Sequence, residues 1–147
     1  MRGKTITRDD LEEIVKAYTG PYWGSGYKFA GYGDNEYYLP TDQEIRELLQ
    51  KELFHETGPH DEGFDCDDYS FVLKGNAALY ARRHWKVSNS IALGIAWGYF
   101  GWRTGSHCCN WVVTADEVFS WIEPMDPLED CFHKAEECDS GLTLVLV

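Results

Sequence analysis

Hydrophobic positions recur at three and four residues in three stretches before residue 83, and alternate in four stretches after it. Leu11, Ile14, Val15 and Tyr18 share one helical face, with Thr7 or Asp9 to cap it and Gly20-Pro21 to stop it. That pattern predicts a first helix. Thr41 and Glu44 form a capping box ahead of Ile45, Leu48, Leu49 and Leu53, and Thr57-Gly58-Pro59 closes this second helix. A third begins near Cys66, its apolar face running through Tyr69, Val72, Leu73, Ala77 and Tyr80. Residues 91–97, 107–114, 118–123 and 142–147 then read as strands with turn signals between them. Helices first and strands second predict an α+β fold. It would have its helices on one face of an antiparallel sheet, and residues 1–147 as a single domain.

One segment obeys neither period. Between residues 20 and 40, Gly20, Gly24, Gly26, Gly31 and Gly33 alternate with Tyr22, Trp23, Tyr27, Phe29, Tyr32, Tyr37 and Tyr38. Glycines permit tight turning while the rings pack or line a groove, so an irregular, groove-forming segment is expected. It is not a dinucleotide loop, because the third glycine of that fingerprint falls at Phe29.

Charge then narrows the partners. Thirteen Lys and Arg against 25 Asp and Glu leave a formal −12, with Arg82-Arg83 as a lone basic doublet. Such a surface repels phosphate backbones, which argues against nucleic acid. The longest apolar stretch, about residues 91–100, is too short and glycine-broken to span a bilayer, and Met1 to Thr5 lack a signal-peptide core. A soluble cytoplasmic domain without membrane contact is expected. Five cysteines, an odd number with no C-x-x-C pair, argue against a disulfide framework and against structural zinc.

Phe64-Asp65-Cys66-Asp67-Asp68-Tyr69 carries the candidate chemistry. Cys66 precedes Tyr69 by three and Leu73 by seven, which puts it on the buried face in the first turn of the third helix. Free backbone N–H groups and the helix dipole there favour thiolate, the nucleophilic form; the alternative is a small buried hydrophobe. His107 is the candidate proton shuttle. If Val113 pairs with Glu117 across a three-residue loop, His107 falls opposite Glu123, whose setting in Trp121-Ile122-Glu123-Pro124 asks for a partner. His55, His60, His84 and His133 are expected at the surface.

Cysteine at a helix head, then histidine, then an acidic residue, resembles the order of the papain-like and transglutaminase-like cysteine enzymes. The chain is most similar to the cysteine-protease domain of fungal agglutinins (chimerolectins) and to small bacterial and phage domains like it. Residues 64–69, Gly94-Ile95-Ala96-Trp97, Ser106-His107 and Ile122-Glu123-Pro124 carry the resemblance, over about residues 37–125. It implies a papain-like fold with the nucleophile at a helix N-terminus, and a hydrolase of peptide or amide bonds in a peptide or protein substrate. Cys66 would attack, His107 move the proton and Glu123 orient it, with transglutaminase-like transfer as a variant. Trp23, Tyr37, Trp97 and Asn110 would bind substrate. The resemblance further implies Ca2+, for which Asp67 and Asp68 are the ligands expected among Asp61, Glu62, Asp65, Asp67 and Asp68; these acids equally suit a helix start without metal. Met125 stands where the resembling domains carry a glutamine that binds the oxyanion, which leaves Trp23 or Asn110 as substitutes. The alternative is a catalytically impaired papain-like module that binds a peptide or glycan.

Overall fold

The computed structural model describes residues 2–29, 33–53 and 64–146, with the side chains of 25–29 and 143–146 outside the description. Strand β1 (Lys4–Thr7) leads into helix α1 (Arg8–Thr19), followed by β2 (Trp23–Phe29), β3 (Glu36–Leu39), α2 (Asp42–Glu52) and α3 (Cys66–Tyr80). Six strands complete the chain: β4 (Ser90–Ile91), β5 (Leu93–Phe100), β6 (Ser106–Val113), β7 (Phe119–Ile122), β8 (Phe132–Lys134) and β9 (Cys138–Leu146).

Caps set where the helices begin. Thr7 Oγ1 accepts the Asp10 N–H at 3.2 Å at the head of α1. On α2, Glu44 N–H donates to Thr41 Oγ1 at 3.1 Å and Thr41 N–H to Glu44 Oε2 at 2.8 Å, which satisfies two orphan donors at once. At α3 the Asp65 N–H donates to Asp68 Oδ2 at 3.2 Å. A π-helical turn, Ala81–Trp85, extends α3 until Lys86 leaves it at φ 58°.

The strands form a six-stranded sheet, order β2-β9-β5-β6-β7-β8, and a three-stranded sheet, order β1-β3-β4. Both are mixed, since β2 runs parallel to β9 and β3 parallel to β4. The expectation of an antiparallel sheet with helices on one face is therefore corrected. Leu11 and Val15 of α1 pack with Ala96, Cys109, Trp111, Val113, Phe119 and Trp121. Ile45, Leu48 and Leu49 of α2 and Leu73 and Ala77 of α3 pack with Leu93, Val112 and Ile122. Neighbouring residues of β5 and β6 thus enter different cores, so the large sheet is buried on both sides. That is why its strands read as near-continuous apolar runs rather than clean alternation.

The glycine-aromatic segment is also corrected, because it contains β2 and β3 rather than an irregular loop. A Cβ on Gly24 would stand 3.3 Å from the Cα of Gly141 on the neighbouring strand, so the glycine serves strand-to-strand approach. Gly141 itself sits at φ 68°, with the Tyr99 ring 2.8 Å from where a Cβ would be. No helix among the described residues is long and apolar enough to cross a membrane.

Candidate functional site

Cys66 opens α3 and is half-buried. Its Sγ meets the backbone N–H of Cys108, which joins the head of α3 to β6 one residue beyond His107. Three further hydrogen bonds surround the start of the helix. Ser70 Oγ donates to the Cys66 carbonyl at 2.8 Å, and Asn110 Nδ2 donates to the carbonyls of Ser70 at 3.0 Å and Gly94 at 3.1 Å.

The thiol is not tuned for ionisation. Burial pushes its pKa up, and Asp65, Asp67 and Glu123 push in the same direction. The Cys108 N–H favours thiolate, but these four influences outweigh it. Desolvation and the neighbouring carboxylates thus oppose the thiolate that the helix head was expected to favour. Iodoacetamide is expected to modify Cys66 first, since Cys108, Cys109, Cys131 and Cys138 are buried, and burial holds Cys131 at about 12. The rate constant should still be climbing at pH 9, the ordinary range of a cysteine. A plateau at neutral pH, measured by intact-mass kinetics, would refute the protonated thiol.

His107 and Glu123 do meet. His107 Nε2 lies 2.5 Å from Glu123 Oε2, with the histidine buried and the carboxylate fully enclosed. Burial opposes the Glu123 charge. Hydrogen bonding and charge from His107, the Arg103 guanidinium and the Met125 N–H outweigh it, leaving the carboxyl below its usual range. The ladder that brings the pair together differs from the one expected. Asn110 pairs with Ile122 and Val113 with Phe119, two positions off the expected register. Glu117 takes a left-handed φ of 64° in a longer turn, where Thr114 N–H donates to Val118 O at 3.0 Å. Glu123 thus lies just past β7, pinned by its N–H to Cys131 O at 2.8 Å, and reaches back to His107.

Most expected groove residues lie elsewhere. Tyr37 is fully buried in the core beneath α1, and Trp23 is half-buried with its Nε1 donating to Thr19 Oγ1 at 2.9 Å. Asn110 is buried and its amide hydrogens are spent on the Ser70 and Gly94 carbonyls. Neither Trp23 nor Asn110 replaces the missing oxyanion donor. Trp97 adjoins the site, paired with Cys108 in the ladder and packed against Phe71 at 6.0 Å between ring centroids. For the metal ligands, Asp68 is turned back to the Asp65 N–H; the side chains that converge are Asp65, Cys66 and Asp67, with ligand atoms within 4.8 Å of one another. Asp61, Glu62, His55 and His60 lie outside the described residues.

Of the β5–β6 turn, the sequence reading placed Trp102 near the groove and missed Arg103. Trp102 Nε1 donates to Glu123 Oε2 at 3.1 Å, and Arg103 lies 3.3 Å from the same oxygen and 2.6 Å from Asp126 Oδ1. It also misplaced His133, whose ring stacks on Trp102 at 3.9 Å and 5°. A Trp-Arg pair in a tight turn of so acidic a chain was the available signal.

The family described as "Agglutinin C-terminal" matches residues 37–127, more than half of the chain. The chain belongs to the agglutinin C-terminal family. Two solved structures extend the likeness. A chain titled "PSL1a-E64 complex" is 22% identical with a TM-score of 0.80, over 97% of this chain and 51% of that one. A Polyporus squamosus lectin, titled as bound to the human-type influenza-binding epitope Neu5Aca2-6Galb1-4GlcNAc, is 23% identical with a TM-score of 0.76, over 97% and 49%. At these identities the likeness shows the fold, and this domain spans about half the length of those chains. No curated protein matches it.

These findings correct the class expected. The family is that of agglutinin C-terminal domains, and the fold is shared with about half of each of two longer chains, in place of the papain-like and transglutaminase-like enzymes expected. The reading as a cysteine peptidase with a catalytic triad and a peptide or protein substrate rested on the order of Cys66, His107 and Glu123 and on the four short stretches matched around them. It falls with that assignment. Of the two functions open to the sequence, family membership supports the binding module.

Proposed function

We propose that this agglutinin C-terminal domain is a non-hydrolytic binding module whose ligand is a glycan, held beside Cys66 and Trp97. The observation that carries the reading is the Phe71–Trp97 aromatic pair, next in the ladder to the Cys108 that meets Cys66, with the Asp65 and Asp67 carboxylates converging at Cys66. Aromatic faces take the apolar faces of sugar rings, and neighbouring carboxylates accept their hydroxyls. Charge selects within the epitope that one relative's title names. A protein of formal charge −12, with Asp65 and Asp67 at the site, repels the Neu5Ac carboxylate, so the neutral Galb1-4GlcNAc part is favoured.

Asp65 and Asp67 also fit a hard divalent cation. Each carboxylate is crowded by the other, and the Asp65 pKa is raised by its hydrogen bond with Asp67 first, then by burial and charge. Calcium held there would neutralise both, so it is retained within the proposal with Asp65 in the place expected of Asp68.

Titration of the domain with Galb1-4GlcNAc, with and without the Neu5Ac cap and with and without Ca2+, tests this by NMR. Saturable shifts at Cys66, Trp97 and Phe71 are expected, stronger for the uncapped sugar. Trp97→Ala should weaken binding about tenfold, the scale of one stacking contact, while Cys66→Ser should retain it. Calcium should raise the melting temperature, and Asp67→Asn should abolish that rise. No sugar binding, a covalent adduct of E64 on Cys66, or turnover of a peptide anilide that Cys66→Ala abolishes would overturn the binding reading. Melting insensitive to Ca2+ would remove the cation alone.

A further inference from the structure

The Glu123 carboxylate collects more donors than its histidine partner requires. Oε2 faces His107 Nε2 at 2.5 Å and Trp102 Nε1 at 3.1 Å, with Arg103 Nε in ion-pair contact at 3.3 Å, while Oε1 accepts the Met125 N–H at 3.2 Å. Trp102 and Arg103 both come from the short turn between β5 and β6, so one loop supplies two of the side chains that converge on a single oxygen. Each is held from behind. Trp102 is sandwiched between Phe100, at 4.8 Å, and the stacked His133. Arg103 is anchored by Asp126 at 2.6 Å. Both anchors leave a planar donor group with little freedom, and fixed donors to a fully buried anion are worth more than mobile ones.

We infer that Trp102 and Arg103 are positioning residues of the site: they hold Glu123 ionised and immobile, and Glu123 in turn fixes His107 with its proton on Nε2 and its lone pair on Nδ1. Two chemical facts support the assignment. A carboxylate without a proton can only accept, so a neutral His107 must donate from Nε2 to satisfy it. The single guanidinium offsets part of the charge that Glu123 and Asp126 bring, in a place where the Glu123 carboxylate has no exposure to water. The inference stands apart from the glycan reading, because its test requires no ligand.

The test is NMR titration of the Glu123 carboxyl carbon together with the ring nitrogens of His107. In the native protein Glu123 is expected to titrate below the usual glutamate range, with His107 as the Nε2–H tautomer when neutral. Arg103→Met should raise the Glu123 midpoint by about one unit, a tenfold gain in proton affinity, and mix the two tautomers. Arg103→Lys should recover part of that shift, and it serves as well if Arg103→Met fails to fold. Trp102→Phe keeps the stack on His133 and deletes only the indole N–H; a rise of about threefold in proton affinity is expected. Trp102→Ala, which removes both, separates bond from packing. An unchanged Glu123 midpoint and an unmixed tautomer in folded Arg103→Met and Trp102→Phe would overturn the inference. A shift in Trp102→Ala with none in Trp102→Phe would remove Trp102 from it.

Discussion

Glu123→Ala is expected to lower the melting temperature by roughly 10 °C, the largest effect of any substitution at the site. Breaking a buried ion pair from one side costs about 3–5 kcal/mol, and a domain of this size loses a few degrees per kcal/mol. The alanine would leave the buried His107 Nε2 and the Trp102 Nε1 without their acceptor, and would leave Arg103 with Asp126 alone. Glu123→Gln should cost less, because its carbonyl oxygen still accepts, but it should change how stability depends on pH. The folded carboxyl titrates below its unfolded value. Its contribution is therefore complete above the unfolded pKa and is lost as pH falls through the folded one. Stability of the native protein should drop on acidification below about pH 4.5 more steeply than that of Glu123→Gln. Parallel denaturation curves for the two proteins across that range would contradict the assigned charge.

Trp121→Ala should be comparably damaging without touching the chemistry. Trp121 is fully buried, edge-on to Phe119 at 4.7 Å and to Phe100 at 5.1 Å, and its Nε1 donates to the Ala135 carbonyl at 3.2 Å. Removing an enclosed indole from a close-packed core typically costs about 3–5 kcal/mol. The loss also frees Ala135, which follows β8, from β7, so β8 and His133 should loosen against Trp102. Trp121→Phe keeps most of the contact area and should lose only a fraction as much. Denaturant unfolding monitored by far-UV signal measures both; a cost for Trp121→Ala below about 1 kcal/mol would show that the core repacks around the void.

The agglutinin C-terminal fold was partly legible in the chain. Helical periodicity and caps are local properties, and Thr7, Thr41 and Asp65 mark the starts of α1, α2 and α3 as the spacing requires. Strands β5, β6, β7 and β9 were visible for the same reason, since their apolar content is written in consecutive residues. β2 was not, because its partner β9 lies more than a hundred residues away and its glycines make sense only against Gly141. Tyr37 looked like a groove residue from its neighbours, and only the packing of α1 over β3 shows it to be core.

What the sequence determined by itself was the inventory: which segments form helices, that Cys66 heads one of them, and that Glu123 stands in surroundings apolar enough to demand a partner. Tertiary structure decided the chemistry. The two-position change of register is set by the left-handed Glu117, and it is the reach of one side chain, not ladder pairing, that brings Glu123 to His107. The ionisation of Cys66 is decided in part likewise: Asp65 and Asp67 flank it in the chain, but burial, the largest influence, and the remote Glu123 act on the sulfur only once the chain is folded. Charge interactions and desolvation depend on where groups end up in space, whereas caps and periodicity depend on their order in the chain.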